Sequence, residues 1–208
     1  MDDRFVGHYV EWQKNRIAAI EAFFGAFFFE GKTLLELGCG YGDIGKHFES
    51  IGTTVIFSDG RPEHLAHIKN NNVNAKVLLL DLDKDTIPGK FDIIFHMGVL
   101  YHLKEFVRSV ENACRACSTL VLESEVCDSD DPSYVIYRDE SGYDQAMNGV
   151  GVRPSPACVE SALSGCGMKF TRFSGSSCNS GHHVYDWTIE NTKTWRHGLR
   201  AMWFCEAG

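Results

Sequence analysis

The segment Leu34-Leu35-Glu36-Leu37-Gly38-Cys39-Gly40-Tyr41-Gly42-Asp43 constrains this chain more than any other, because it joins an apolar run to an amphipathic one through alternating glycines. Thr33 to Leu37 is short and apolar enough for a strand buried on both faces, and the helical pattern that follows, Asp43 to Ser50, carries Ile44 and Phe48 one turn apart. Lacking Cβ atoms, Gly38, Gly40 and Gly42 let a ligand approach the main chain, and the helix start offers unpaired N–H groups. Glu36 adds a carboxylate at the carboxyl end of the strand, so backbone donors and a negative acceptor for an ammonium group stand together.

That mixture suits the amino-acid end of S-adenosylmethionine. Two other readings compete with it. A purely structural strand-to-helix turn needs fewer glycines. A dinucleotide site is formally matched by Gly40-Tyr41-Gly42-Asp43-Ile44-Gly45, with Asp59 near the spacing of a ribose-binding acid. That frame starts two residues late, since the glycine that closes the strand is Gly38, and counted from there the third glycine position is Asp43.

Further acids fall where successive strands end, and ligands of open α/β sheets bind outside the carboxyl ends of strands. Thr53 to Ser58 reads as a second strand that delivers Asp59, whose two oxygens match a pair of ribose hydroxyls, although Asp59-Gly60 is also a common turn pair. A third strand, Ala75 to Leu80, leads to Asp81-Leu82-Asp83, where an acid can receive an adenine amino group with Leu82 against the ring. A fourth, Phe91 to Phe95, ends at His96-Met97-Gly98, and the segment from Val99 through Tyr101 and His102 leads into a helix reaching about Ala113.

The run from Glu36 to Gly42, the acids Asp59 and Asp81 and the segment after the fourth strand resemble the motifs of class I S-adenosylmethionine-dependent methyltransferases over roughly residues 30–125. The stretch from Phe91 to His102 is similar to the corresponding part of the tRNA wobble-uridine carboxymethyltransferases. The resemblance implies a Rossmann-like seven-stranded α/β sheet, mostly parallel with an antiparallel last strand and helices on both faces. It implies S-adenosyl-L-methionine as donor and S-adenosyl-L-homocysteine as product. It also implies that Glu36, Gly38, Cys39, Gly40 and Gly42 line the methionine end, that Asp59 and Gly60 hold the ribose, that Asp81 and Leu82 frame the adenine, and that His96 and Met97 pass close to the sulfonium. Cys39 has no catalytic role in this reading. A non-catalytic S-adenosylmethionine-binding protein and, behind it, a dinucleotide-dependent oxidoreductase are the alternatives.

The chain has 208 residues and 44% hydrophobic content, which suits a single domain over 1–208 with an N-terminal helix at about 8–29 and a lid-like insertion at about 124–152. The Phe-rich stretch Ile17 to Phe29 is too short to span a membrane and is interrupted by Glu21 and Gly25, so it reads as a helix packed on the sheet, from which Trp12 and Arg16 can reach the cofactor mouth. Eight cysteines behind a charged start without a secretory pattern suggest reduced thiols in the cytoplasm, and the Cys114/Cys117 pair lacks the companions of a zinc site, so no metal is expected. A net charge of −8 without any basic run argues against nucleic acid as partner and for a small-molecule, glycan-like or lipid-linked acceptor.

The lid region carries Tyr134, Tyr137, Arg138 and Tyr143, and its acids Asp128, Asp130 and Asp131 read as a solvated loop ahead of a divalent-cation site. Ser155 and Pro156 start a helix that ends near Gly165, after which Lys169 to Phe173 and His183 to Ile189 read as closing strands, joined by the loop Gly175 to Gly181. The tail Trp195 to Phe204 is a final strand or an acceptor-site wall. Candidate general bases are His96, His102, Tyr137, His182 and His183, with His96 foremost because it ends a strand beside the expected methyl donor.

Overall fold

The computed structural model describes residues 6–142 and 145–208; Tyr143 of the expected lid lies outside them. In chain order the elements are α1 (Val6–Phe24), β1 (Thr33–Leu37), α2 (Asp43–Ser50), β2 (Thr54–Asp59), α3 (Pro62–Asn71), β3 (Lys76–Leu79), β4 (Phe91–Met97), α4 (Phe106–Ala116), β5 (Cys117–Glu125), β6 (Val135–Asp139), β7 (Val150–Pro154), α5 (Pro156–Gly165), β8 (Met168–Phe173) and β9 (Arg200–Ala207). Short 3-10 turns at Ala26–Phe29, Leu100–His102 and Ser176–Cys178 join some of them.

Seven strands form one sheet in the order β3-β2-β1-β4-β5-β9-β8, and β6 pairs with β7 as a separate hairpin. The first five strands of that order run parallel; β9 inserts antiparallel to both β5 and β8. The strand order reverses between β1 and β4, which opens a crevice at their carboxyl ends.

Period-two alternation explains why both faces are covered. Along β1, Leu34 enters one apolar cluster and Leu35 and Leu37 the other; along β4, Ile93 and Phe95 part from Ile94 in the same way. One cluster takes Ile20, Ile44 and Ile68 from α1, α2 and α3, and the opposite one takes Val110 and Val159 from α4 and α5. No helix among the described residues is long and apolar enough to cross a membrane.

Local punctuation sets several borders. Ser155 caps α5 by accepting a hydrogen bond from the Cys158 N–H at 2.9 Å, with Pro156 at the first helical position. One expected strand does not form. His183 to Ile189 makes a single bridge, Val184 with Leu199, and the closing strand is instead β9 in the tail. A main-chain donor of the segment is taken elsewhere, the Tyr185 N–H going to the Asn179 side chain at 2.8 Å, while the Trp187 indole N–H occupies the Arg200 carbonyl at 2.8 Å.

The insertion after β5 is more regular than a loop. Hairpin β6–β7 pairs Arg138 with Gly151 and Asp139 with Val150, and Asp128 is spent on the chain itself, accepting from the N–H groups of Glu190, Asn191 and Thr192. Asp131 likewise accepts from Ser133. Among the described residues, no three His, Cys, Asp or Glu side chains converge as metal ligands.

Candidate active site

The glycine turn is built from consecutive main chain. Gly38 has φ +60°, and a Cβ there would stand 2.6 Å from the Val99 side chain, so this position excludes any larger residue. Over Gly40 the space is open, with nothing within 4 Å of where a Cβ would be. The turn is tied to β2 by the Cys39 N–H donating to the Ser58 carbonyl at 2.9 Å. The half-buried Cys39 thiol is pushed far up by burial and then by Glu36 and Asp59, which keeps it protonated and unreactive.

Asp59 is buried at the end of β2 and accepts from the Gly40 and Arg61 N–H groups, each at 2.9 Å, while His64 Nδ1 stands 3.2 Å away. Burial pushes this carboxyl up, but His64 and the two backbone donors hold it below the usual range, so it stays ionised. Asp59 thus fastens the glycine turn to the β2–α3 turn. The space beside Gly60 is filled by Met147 from the loop between β6 and β7, whose sulfur would lie 2.4 Å from a Cβ at that glycine.

Three positions sit differently from their expected roles. Glu36 does not present a free carboxylate at the mouth: it is buried, accepts from the Gly45 N–H in α2 at 3.2 Å, and is pushed up to about 8, chiefly by burial. Asp81 closes its own turn, accepting from the Asp83 N–H at 3.0 Å and pairing with Lys84 at 2.7 Å. The acid that links elements there is Asp83, which accepts from the Glu105 N–H at 2.8 Å and from Asn148 at 2.6 Å. Leu82 belongs to the apolar core beside Leu80 and Ile87.

His96 is the largest correction among the candidate bases. It is fully buried and hydrogen-bonded to Ser109 of α4 at 2.9 Å, with its pKa lowered by burial to about 4. Strand alternation is the reason: His96 shares its face with Ile94 and points into the α4 layer, while the backbone of Gly98 reaches the crevice. Met97 packs in the opposite cluster with Trp12. Tyr137 is 62% exposed on the hairpin, outside the enclosed wall. His183 stacks on Trp12 with ring centres 3.9 Å apart. His182 is exposed, and His102 stands partly open, with its side chain 17% exposed and Nδ1 2.5 Å from Glu140.

The wall beyond Gly98 is a lattice of charges and aromatic rings. Glu123, fully buried on β5, takes Arg16 at 3.5 Å, Arg200 at 3.3 Å and the Tyr185 hydroxyl at 3.1 Å, and the Trp12 indole N–H donates to that hydroxyl at 2.8 Å. Two residues on, Glu125 pairs with Arg153 and accepts from the Gly198 N–H at 3.0 Å. Guanidinium groups lie against rings: Arg16 is 3.5 Å over Trp12, Arg200 is 4.6 Å from the Tyr101 ring, and Arg153 and Arg138 stand 5.1 and 4.0 Å from Trp195. Burial pushes the Tyr101 hydroxyl up to about 12. Buried without a partner among the described residues are the Nε groups of Arg16 and Arg200 and the indole N–H of Trp195. Glu123 and Glu125 escaped the sequence reading, although two acids at alternate positions inside an apolar run were the available signal.

Strand order, the crevice between β1 and β4 and the glycine turn over it are those of a class I methyltransferase sheet. The chain belongs to the methyltransferase domain family, whose model matches residues 9–150, and that class of domain uses S-adenosyl-L-methionine. Among curated relatives, the tRNA U34 carboxymethyltransferase of Actinobacillus succinogenes is 30% identical over 141 residues, covering 62% of this chain and 43% of the relative. That of Shewanella sediminis is 28% identical over 140 residues, covering 62% and 41%. The chain thus spans less than half the length of these relatives. Among solved structures, the N-terminal domain of EvdMO1 with SAH bound superposes with a TM-score of 0.69 at 17% identity, covering 94% of this chain and 81% of that one. Magnesium protoporphyrin IX methyltransferase from Synechocystis PCC 6803 with bound SAM gives 0.62 at 13% identity, covering 96% and 81%.

These relatives correct the expectation that nucleic acid is not a partner and that a small or glycan-like acceptor stands in its place: proteins named for a tRNA uridine share this core. The net charge of −8 is a sum over the whole surface, whereas phosphate contacts are local and can be made by segments outside the matched part.

Proposed function

We propose that the chain transfers the methyl group of S-adenosyl-L-methionine to a neutral, oxygen-rich ring acceptor, the chemistry that a uridine of tRNA presents. The observation that carries this reading is the wall beyond Gly98. Its buried ions balance, with Arg16, Arg153 and Arg200 against Glu123, Glu125 and Glu140, yet three N–H donors there have no partner among the described residues. Such a wall repels a charged acceptor, whose burial would lack a counter-ion, and welcomes carbonyl or hydroxyl oxygens beside aromatic faces. The names of the curated relatives make a tRNA nucleoside the acceptor class of this proposal.

In this reading the main chain of Gly38, Cys39, Gly40 and Gly42 holds the amino-acid end of the donor. Asp59 and Gly60 face the ribose, Asp83 borders the adenine, and Gly98 underlies the sulfonium. When bound, the sulfonium supplies an already activated methyl group. The protein's share is to align the acceptor with it and to exclude water, which the closed wall and the loop packed on Gly60 favour. The eight free cysteines support a reducing compartment such as the cytoplasm as the place of action.

The test has two parts. Titration calorimetry with S-adenosylmethionine, S-adenosylhomocysteine and NAD is expected to show binding of the two sulfur nucleotides only; binding of NAD alone would return the oxidoreductase. Incubation with methyl-labelled donor and a cell extract, followed by nuclease digestion, is expected to release the label as a modified nucleoside. Label confined to nuclease-resistant material would overturn the RNA acceptor.

A further inference from the structure

We infer that His102 is the general base of the reaction and that Glu140, carried by the β6–β7 hairpin, orients it, so that the base is assembled only while the hairpin is docked. This rests on the proposed methyl transfer and adds to it the residue that accepts the proton and the residue that aims it.

The geometry is that of a base held by a third group. His102 closes the 3-10 turn Leu100–His102, which begins just past Gly98. Its Nδ1 lies 2.5 Å from Glu140 Oε2, and the other oxygen of the same carboxylate lies 2.5 Å from Arg153 Nη2. Arg153 is in turn anchored on Glu125 of the central sheet, so the carboxylate is fixed from two sides. Burial pushes Glu140 up, but His102 and then Arg153 hold it below the usual range, and it remains an acceptor. A carboxylate that accepts Nδ1–H selects the tautomer whose Nε2 carries the lone pair.

The hairpin is shaped to deliver this carboxylate. Gly151 faces Arg138 across the hairpin, and a Cβ on Gly151 would stand 2.3 Å from the Glu140 carboxyl carbon, so only glycine leaves room for it. Past Glu140 the same loop reaches the donor side: the Gln145 carbonyl accepts from Arg61 at 2.5 Å, Asn148 donates to Asp83 at 2.6 Å, and Met147 covers Gly60. One segment therefore touches the donor groove and completes the base. As the acceptor oxygen or nitrogen bonds to the methyl carbon and the carbon–sulfur bond breaks, the acceptor's proton passes to His102 Nε2. The resulting imidazolium is balanced by Glu140, and the proton is then released to water.

The test begins with the wild-type protein, which needs no variant to fold. Long-range ¹⁵N–¹H spectra of its histidine rings are expected to show neutral His102 as the Nδ1–H tautomer alone; an Nε2–H tautomer overturns the proposal. Glu140→Gln is expected to mix the tautomers, keep S-adenosylhomocysteine affinity within about twofold, and lower turnover of the labelled acceptor by about a hundredfold, the usual share of a general base. In a His102→Asn background, Glu140→Gln should change turnover no further. Full turnover in Glu140→Gln, or an additive loss in the double variant, would refute the orienting role. Failure of the wild type to bind S-adenosylhomocysteine at all would instead sink the methyl-transfer reading, and the tautomer measurement keeps the two apart.

Discussion

The glycine turn and the charged wall beyond Gly98 are neighbours made by opposite means. The turn from Glu36 to Gly45 is one short stretch of chain whose working groups are main-chain atoms, shaped by glycine dihedrals. The wall is made of side chains from α1, β5, β7 and β9, with Arg16 and Glu123 separated by 107 residues and Tyr101 and Arg200 by 99. A site built from backbone tolerates little change in its few small residues. A site built from paired charges instead depends on every member of the pairing being present, because a buried ion left alone is far more expensive than a pair.

Removing the hub of the wall is the strongest way to test that contrast. Glu123→Ala leaves Arg16 and Arg200 buried without their carboxylate and is expected to lower stability by about 3–5 kcal/mol in chemical denaturation. A loss below about 1 kcal/mol would show that the two arginines do not depend on this carboxylate. On the donor side, Gly38→Ala combines a φ of +60° with a clash on Val99 and is expected to weaken S-adenosylhomocysteine binding by about 1–3 kcal/mol in calorimetry. Unchanged affinity would mean that the turn can shift without harm.

Glu36 supplies a subtler distinction, visible only against pH. Its folded-state pKa of about 8 lies above the ordinary 4.5, so between those values the native state holds a proton that the unfolded chain has released. Stability from this group falls as pH rises through that window, by at most about 1.4 kcal/mol per pH unit. Glu36→Gln should remove that slope, and denaturation curves at pH 5, 6.5 and 8 should show the variant gaining on the wild type as pH rises; parallel curves would show Glu36 already ionised. The smallest effect belongs to a purely local device, Ser155→Ala, which should cost about 1 kcal/mol by stripping the cap from α5.

The same contrast governs what could be read in advance. The bounds of β1, α2 and α5 follow from glycine, proline and serine at their ends, which act within a few residues. Position at a strand's carboxyl end could not tell which face His96 takes, and it lies on the face covered by α4, bonded to Ser109. His183 to Ile189 has strand composition, yet its Tyr185 N–H is taken by the Asn179 side chain six residues earlier and only Val184 reaches β9's edge as a bridge. Net charge misled for a related reason, since it averages over a surface on which partners read patches. Glu123, Glu125, Glu140 and Arg153 acquire meaning only when the fold brings them within reach of one another.

The hydrogen bond from Trp12 to Tyr185 joins residues 173 positions apart. During synthesis the first helix can meet β1 and α2 early, but the contact of Trp12 with Tyr185 must wait until the closing segment has left the ribosome. Slow docking of this helix is the expected kinetic counterpart of a wall assembled from segments so far apart in sequence.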